Sequence, residues 1–267
     1  VVEAVLPICL QETFTLPAGE ILVWQVEVRP DYTPDVDITL LDEVESKRAA
    51  SFKTAALRAV FVAAHASLRN VLAARLGVNP KSLVFDANEW DKPSLRHPCC
   101  DLEFNISHSA NRILIAVSSA GPVGVDIEKI LPEPPYEVAS IAFSQNERAA
   151  LEREPAARRV NVFYDLWTRK EALVKAMGLG LGIELQDIDV SPDMHAGRSK
   201  AILFATLAEA GDWELLRLPL IAGFSAALSR RRHQPKAAVG EKTRLANFEL
   251  SRHVFGHKKL DSNIQVQ

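Results

Sequence analysis

Residues 20–28 (EILVWQVEV) alternate apolar and polar positions as a half-buried strand does, and Pro30, Asp31 and Pro34 then break the run. From 41 to 76 apolar residues recur at helical spacing without Gly or Pro, and Gly77 followed by Pro80 supplies a stop. The stretch predicts a helical region, divisible into two pieces. Short strands are predicted at 83–85, 102–106 and 112–117, the last two separated by the polar turn Ser107-His108-Ser109-Ala110-Asn111. Ala120-Gly121-Pro122 leads into another strand, 123–128, expected to pair with 112–117 as a hairpin. Pro132, Pro134 and Pro135 interrupt the chain. Beyond them 144–154 and 156–177 read as helices, the second stopped by Gly178, Gly180 and Gly182, and 201–207, 213–218 and 221–228 read as strands.

Strands with a long helix, followed by helices with more strands, predict an α+β fold rather than alternating parallel units. The expected architecture is two similar lobes, each a small antiparallel sheet packed with a long helix, without sequence repeat between them. The expected divisions are an N-terminal lobe at 1–120, a C-terminal lobe at 121–229 that carries most of the candidate chemistry, and a tail at 230–267. The tail holds nine Lys or Arg against three Asp or Glu, so the net charge of −3 hides a body near −9. Its composition predicts a solvated or disordered segment, with a basic surface for an acidic partner as the alternative.

Bulk charge this close to balance advertises neither nucleic acid nor a membrane surface as partner, and any basic site must be local. With 48% hydrophobic residues the chain can bury a substantial core. No apolar run approaches the roughly 20 residues a spanning helix needs, and the opening VVEAVLPICLQETF lacks the layout of a secretory signal. Cys9, Cys99 and Cys100 are too few and too badly spaced for a disulfide framework or a zinc site. The expectation is a cytosolic protein with reduced thiols.

Three clusters could carry chemistry. In Gly124-Val125-Asp126-Ile127-Glu128 two carboxylates stand two apart on a strand and project to one face, an arrangement that suits a hard divalent cation or, equally, a solvated surface. Trp167, Glu171 and Lys175 share one face of a helix, so Glu171 could meet a metal and Lys175 a phosphate; a surface Glu–Lys pair has the same spacing. In Phe104-Asn105-Ile106-Ser107-His108-Ser109, His and Ser could donate to a phosphate or simply bond the backbone of a turn.

The three together, in order, resemble the signature series of the Sfp-type 4′-phosphopantetheinyl transferases: FNISHS, then GVDIE, then FYDLWTRKEALVKAMGLGL. The basic segment 47–58, Lys92-Pro93 and Phe143-Ser144-Gln145-Asn146-Glu147 are similar to further family elements. The chain departs from the family at Asp91, where Gly is usual, and in the tail. The resemblance implies a pseudo-twofold fold and transfer of the phosphopantetheine arm of coenzyme A to a serine of an apo acyl or peptidyl carrier protein, as holo-[acyl-carrier-protein] synthases do. It implies magnesium, with manganese as an alternative, held by Asp126, Glu128 and Glu171. Glu171 is also a candidate base, with a metal-held water as the alternative, and Lys175 a phosphate-binding lysine. His108 with Ser107 matches the contact to the 3′-phosphate, helped by Lys92 and Arg58, with Lys47, Arg48 and Lys53 in the same basic segment. Glu147 matches an acidic position without an assigned role. A working monomer is expected. The pathway served, whether fatty-acid, polyketide, non-ribosomal peptide or heterocyst-type, is left open. The alternatives are a silent module of the same fold that grips coenzyme A or a carrier, and an unrelated magnesium-dependent phosphotransferase; the latter is disfavoured because no G-x-x-x-x-G-K-[ST] loop is present.

Overall fold

The computed structural model describes residues 8–15, 21–90, 92–180, 183–191, 198–200, 202–203, 212–218 and 222–231. In chain order the elements are β1 (Ile8–Thr15), β2 (Ile21–Val28), α1 (Glu43–Ser51), α2 (Ala55–Leu76), β3 (Val84–Ala87), β4 (Pro93–His97), β5 (Glu103–Ser109), β6 (Arg112–Ser118) and β7 (Val123–Lys129). Then follow α3 (Glu137–Ala142), α4 (Gln145–Arg153), α5 (Ala156–Met177), β8 (Ile188–Asp189), β9 (Arg198–Lys200), β10 (Ile202–Leu203), β11 (Trp213–Arg217) and β12 (Phe224–Arg231).

Two four-stranded antiparallel sheets organise the chain, one in the order β1-β2-β6-β5 and the other in the order β7-β12-β11-β9; β3 with β4 and β8 with β10 form two-stranded pairs. Strand β6 shows how they stack. Ile113, Ile115 and Val117 share a core with Ala64, Leu68 and Leu72 of α2, whereas Leu114 and Ala116 share one with Val125 and Ile127 of β7 and Ala226 and Leu228 of β12. Side chains alternate across a strand, so the first sheet is covered by α2 on one face and by the second sheet on the other. The second sheet in turn meets α5, where Phe163, Leu166 and Leu173 join Trp213 and Leu215. The expected α+β pattern of antiparallel sheets, each with a long helix, is the pattern observed.

The helices begin and end as their sequences dictate. Phe52 ends α1, and the Thr54 hydroxyl caps α2 by accepting from the Leu57 amide, so the helical region at 41–76 is two helices. At α4, Ser144 and Glu147 form a reciprocal capping box. Helix α5 spans Ala156–Met177 and stops at Gly178, whose φ of 70° is left-handed.

Three expectations need correction. Strands 112–117 and 123–128 do not form a hairpin, because β6 already has β2 on one edge and β5 on the other; β7 pairs with β12 in the other sheet. Residues 107–109 are not a turn: β5 runs through Ser109, which pairs with Arg112, and only Ala110 (φ 51°) and Asn111 turn the chain. Arg230 and Arg231 belong to β12 rather than to a tail, and the Arg230 Nε lies 2.7 Å from Glu214 Oε2. Strands β1 and β4 and helix α3 were not anticipated. Asp91, Gly182, residues 204–207 and the chain from 232 onward lie outside the described residues. No helix among the described residues is long and apolar enough to cross a membrane.

Candidate functional site

Strand β7 is an edge strand: its residues 124, 126 and 128 stand opposite Ser229, Ala227 and Ser225 of β12. Among the described residues no further strand pairs on its open edge. Instead three side chains from one face of β5 take its amides. Asn105 Oδ1 accepts from Val125 N at 2.8 Å, Ser107 Oγ from Ile127 N at 3.4 Å, and Ser109 Oγ from Lys129 N at 3.1 Å. The i, i+2, i+4 spacing of these polar residues, with Phe104 before them and Ile106 between the first two, puts them on one face, the signal by which the sequence encodes the contact.

Across this seam stand the two acids. Asp126 is 2% exposed; its Oδ1 accepts from Ser107 Oγ at 2.8 Å and from Lys175 Nζ at 2.6 Å, while its Oδ2 is buried without any hydrogen-bond partner in the protein. Glu128 Oε2 accepts from Ser109 Oγ at 2.8 Å. Burial, then the Asp126 charge, then that of Glu171 push the Glu128 carboxyl up to about 7, against the pull of Ser109 and Lys175.

Glu171 and Lys175 reach the strand from α5. The approach is possible because residue 124 is Gly: an added Cβ would fall onto the Ala172 carbonyl and the Ala176 amide. Burial and the nearby Asp126 charge raise the Glu171 carboxyl above its ordinary value, with Lys175 opposing. Burial works against the Lys175 ammonium, but Asp126 and Glu171 outweigh it and hold its pKa high. Lys175 Nζ donates to Ser107 Oγ at 3.0 Å as well as to Asp126, which leaves one of its three hydrogens for another acceptor.

The structure thus brings Asp126, Glu128, Glu171 and Lys175 into one electrostatic neighbourhood with Ser107 and His108. Among the described residues no three His, Cys, Asp or Glu side chains already meet as a metal-binding group, and the Lys175 ammonium lies against Asp126. The donor set nevertheless fits a hard cation. Three carboxyls repel one another, two are held toward protonation, and one buried oxygen is unpartnered.

Of the basic candidates, His108 and Lys92 lie near this cluster. His108 keeps more than a third of its surface exposed, so the burial that lowers its pKa is partial; the charges of Lys175 and His65 act in the same direction. Lys92 Nζ donates to the Ala176 carbonyl at 3.1 Å, at the C-terminal end of α5 one residue from Lys175, and burial lowers its pKa. Lys53 precedes α2 and Arg58 lies in its first turn; both are exposed, as are Lys47 and Arg48 on α1. Trp167 is half-buried against the α5 core.

Glu147 lies elsewhere. It is fully buried and 2.7 Å from Lys170 Nζ, on a different face of α5 from Glu171. Its carboxylate accepts from Ser144 N, Val190 N and Lys170, while Lys170 also donates to the carbonyls of Leu185 and Ile188. Three donors meet the carboxylate and three acceptors meet the ammonium, which is how an ionised pair is satisfied. Burial nudges Glu147 up and Lys170 down, and each partner's charge resists. Sequence reasoning missed Lys170, whose partner is distant in the chain, and Ser109 and His65. The His65 Nδ1 lies 2.9 Å from Glu45 Oε1.

Residues 122–229, which include β7 and α5, match the model of the 4′-phosphopantetheinyl transferase superfamily. The chain is 32% identical over 216 residues to the 4′-phosphopantetheinyl transferase HetI of a Nostoc species, covering 79% of this chain and 91% of that protein. It is 32% identical over 123 residues to the 4′-phosphopantetheinyl transferase Sfp of Bacillus subtilis, covering 46% of this chain and 54% of that one. A chain titled as a Chronobacterium ammoniagenes ACPS-CoA complex is alike over 42% of this chain and 98% of its own, at 23% identity; its TM-score of 0.32 is too low to bear on the fold.

Proposed function

The chain belongs to the 4′-phosphopantetheinyl transferases, and from that premise we propose that it moves the phosphopantetheine arm of coenzyme A onto a serine of an apo acyl or peptidyl carrier protein, releasing 3′,5′-ADP. The observation that carries the assignment to this site is the unpartnered Asp126 Oδ2, buried among two further carboxyls and a lysine beside an exposed histidine. Such a cluster gains nothing for folding and suits a cation shared with a diphosphate.

In this reading Asp126, Glu128 and Glu171 hold magnesium, with manganese as an alternative. The ion supplies charge neutralisation at the diphosphate. The carrier serine oxygen attacks the β-phosphorus; its new P–O bond forms as the bond to the bridging oxygen of 3′,5′-ADP breaks. Lys175, with its uncommitted hydrogen, binds a phosphate oxygen on which charge develops. Glu171 or a water held by the ion would take the serine proton. His108 contacts the 3′-phosphate, with Lys92 and the exposed Arg58 and Lys53 adding positive charge. Ser107 is matched to the same phosphate, although its hydroxyl hydrogen is directed at Asp126. The lobe division at 120/121, a cytosolic monomer and the holo-synthase subtype belong to the same proposal.

The test is incubation of the protein with coenzyme A, magnesium and a panel of apo carriers, read by mass spectrometry. Addition of one phosphopantetheine arm to a carrier is the expected result. Binding of coenzyme A by calorimetry with no modified carrier would establish the silent module instead. Equal use of 3′-dephospho-coenzyme A would remove the role given to His108.

A further inference from the structure

Ser107 and Ser109 are tied to β7 twice each, and the second tie concerns direction. A hydroxyl has one hydrogen and two acceptor positions. Ser109 Oγ accepts from Lys129 N, so the backbone fixes the oxygen, and its hydrogen goes to Glu128 Oε2 at 2.8 Å. Ser107 Oγ accepts from Ile127 N and from Lys175 Nζ, and its hydrogen goes to Asp126 Oδ1. Asn105 differs, because it accepts from Val125 N and touches no carboxylate. The same three-residue face therefore carries one purely structural rung and two rungs that end on an acid.

From this pattern we infer that Ser109, with Ser107, is a positioning residue: β5 aims the carboxylates of β7 at a divalent cation by donating one hydroxyl hydrogen to each. The inference rests on the reading of Asp126 and Glu128 as cation ligands. Its physical content is that an amide of the same strand locks each donor, so the carboxylate cannot rotate without abandoning a hydrogen bond whose other half is backbone. Ligating carboxylates are commonly oriented by such outer contacts, whose loss costs about ten- to a hundred-fold in metal affinity. Ser109 is the better test of the two, because Ser107 also touches Lys175.

The full chain is titrated with manganese and the bound ion followed by electron paramagnetic resonance, with thermal unfolding in chelator measured for every variant. Ser109→Ala is expected to weaken manganese binding about ten-fold. Ser109→Thr, which keeps the hydroxyl, is expected to restore it. Asn105→Ala is expected to lower the thermal midpoint while leaving manganese affinity as in the wild type. Equal affinity of Ser109→Ala and wild type would overturn the inference, and so would an equal loss in Asn105→Ala, which would make the face structural throughout. Should Ser109→Ala fail to fold, Ser109→Thr against Asn105→Ala still decides, since Thr must then match wild type. Wild-type protein that binds no manganese overturns the inference outright. Wild-type protein that binds manganese but modifies no carrier would remove the transferase reading alone.

Discussion

Helix α5 carries two lysine–carboxylate pairs of nearly equal length, five residues apart, and they serve opposite ends. Lys170 with Glu147, at 2.7 Å, is sealed from solvent, and every donor and acceptor of the pair is used. Lys175 with Asp126, at 2.6 Å, leaves the lysine side chain 30% exposed, one carboxylate oxygen unpartnered and one ammonium hydrogen uncommitted. The first pair ties α5 to the start of α4 and to residues 185–190, and it has no capacity left for a ligand. The second is incomplete by itself. Distance alone does not separate a pair that holds a fold from a pair that awaits a substrate; the count of unmet hydrogen bonds does.

The largest effect that would sharpen this contrast is on catalysis. Asp126→Ala should lower phosphopantetheine transfer at least about a thousand-fold, while circular dichroism shows an intact fold, because the ammonium it leaves behind can reach water. Lys170→Ala should do the reverse. It strands the Glu147 carboxylate in the core and should cost about 3–5 kcal/mol in urea unfolding. Lys170→Met with Glu147→Gln, which removes both charges and keeps an acceptor for one of the Ser144 and Val190 amides, should recover part of that loss. If Asp126→Ala unfolds the chain and Lys170→Ala does not, the contrast is reversed.

Gly124→Ala tests the approach of α5 to β7 that the second pair needs. The added methyl meets helix backbone rather than a movable side chain, so a loss of about 1–3 kcal/mol is expected together with reduced transfer. The smallest effect concerns pH. Glu128 in the folded protein titrates near 7, above the ordinary glutamate value of 4.5, so between these values the native state binds more protons than the unfolded chain. In chelator the thermal midpoint should therefore fall as pH rises through that window, and Glu128→Gln should flatten the decline. Added magnesium should oppose it by favouring the charged form.

Much of this was legible locally. The bounds of α5 follow from Pro155, an apolar period and Gly178, and the shared face of Asp126 and Glu128 follows from strand geometry alone. What was not legible depends on partners distant in the chain. The polar run Ser107-His108-Ser109 looks like a turn because nothing nearby in sequence tells that its serines will cap an edge 20 residues away. The hairpin expected of β6 and β7 failed for the same reason: two strands close in sequence were each claimed by better-placed neighbours. Glu147 could be placed at a helix start by its S-x-x-E spacing, yet its pairing with Lys170 required the tertiary fold.

The seam between β5 and β7 has a consequence for recombination between relatives. Main-chain ladders tolerate almost any side chain, but this joint is written in Asn105, Ser107 and Ser109 on one strand and read by the amides of the other. A chimaera that joins the first half of a relative to residues 121–229 of this chain should assemble only where the incoming strand keeps acceptor side chains at the positions of Asn105, Ser107 and Ser109. The halves are keyed to each other.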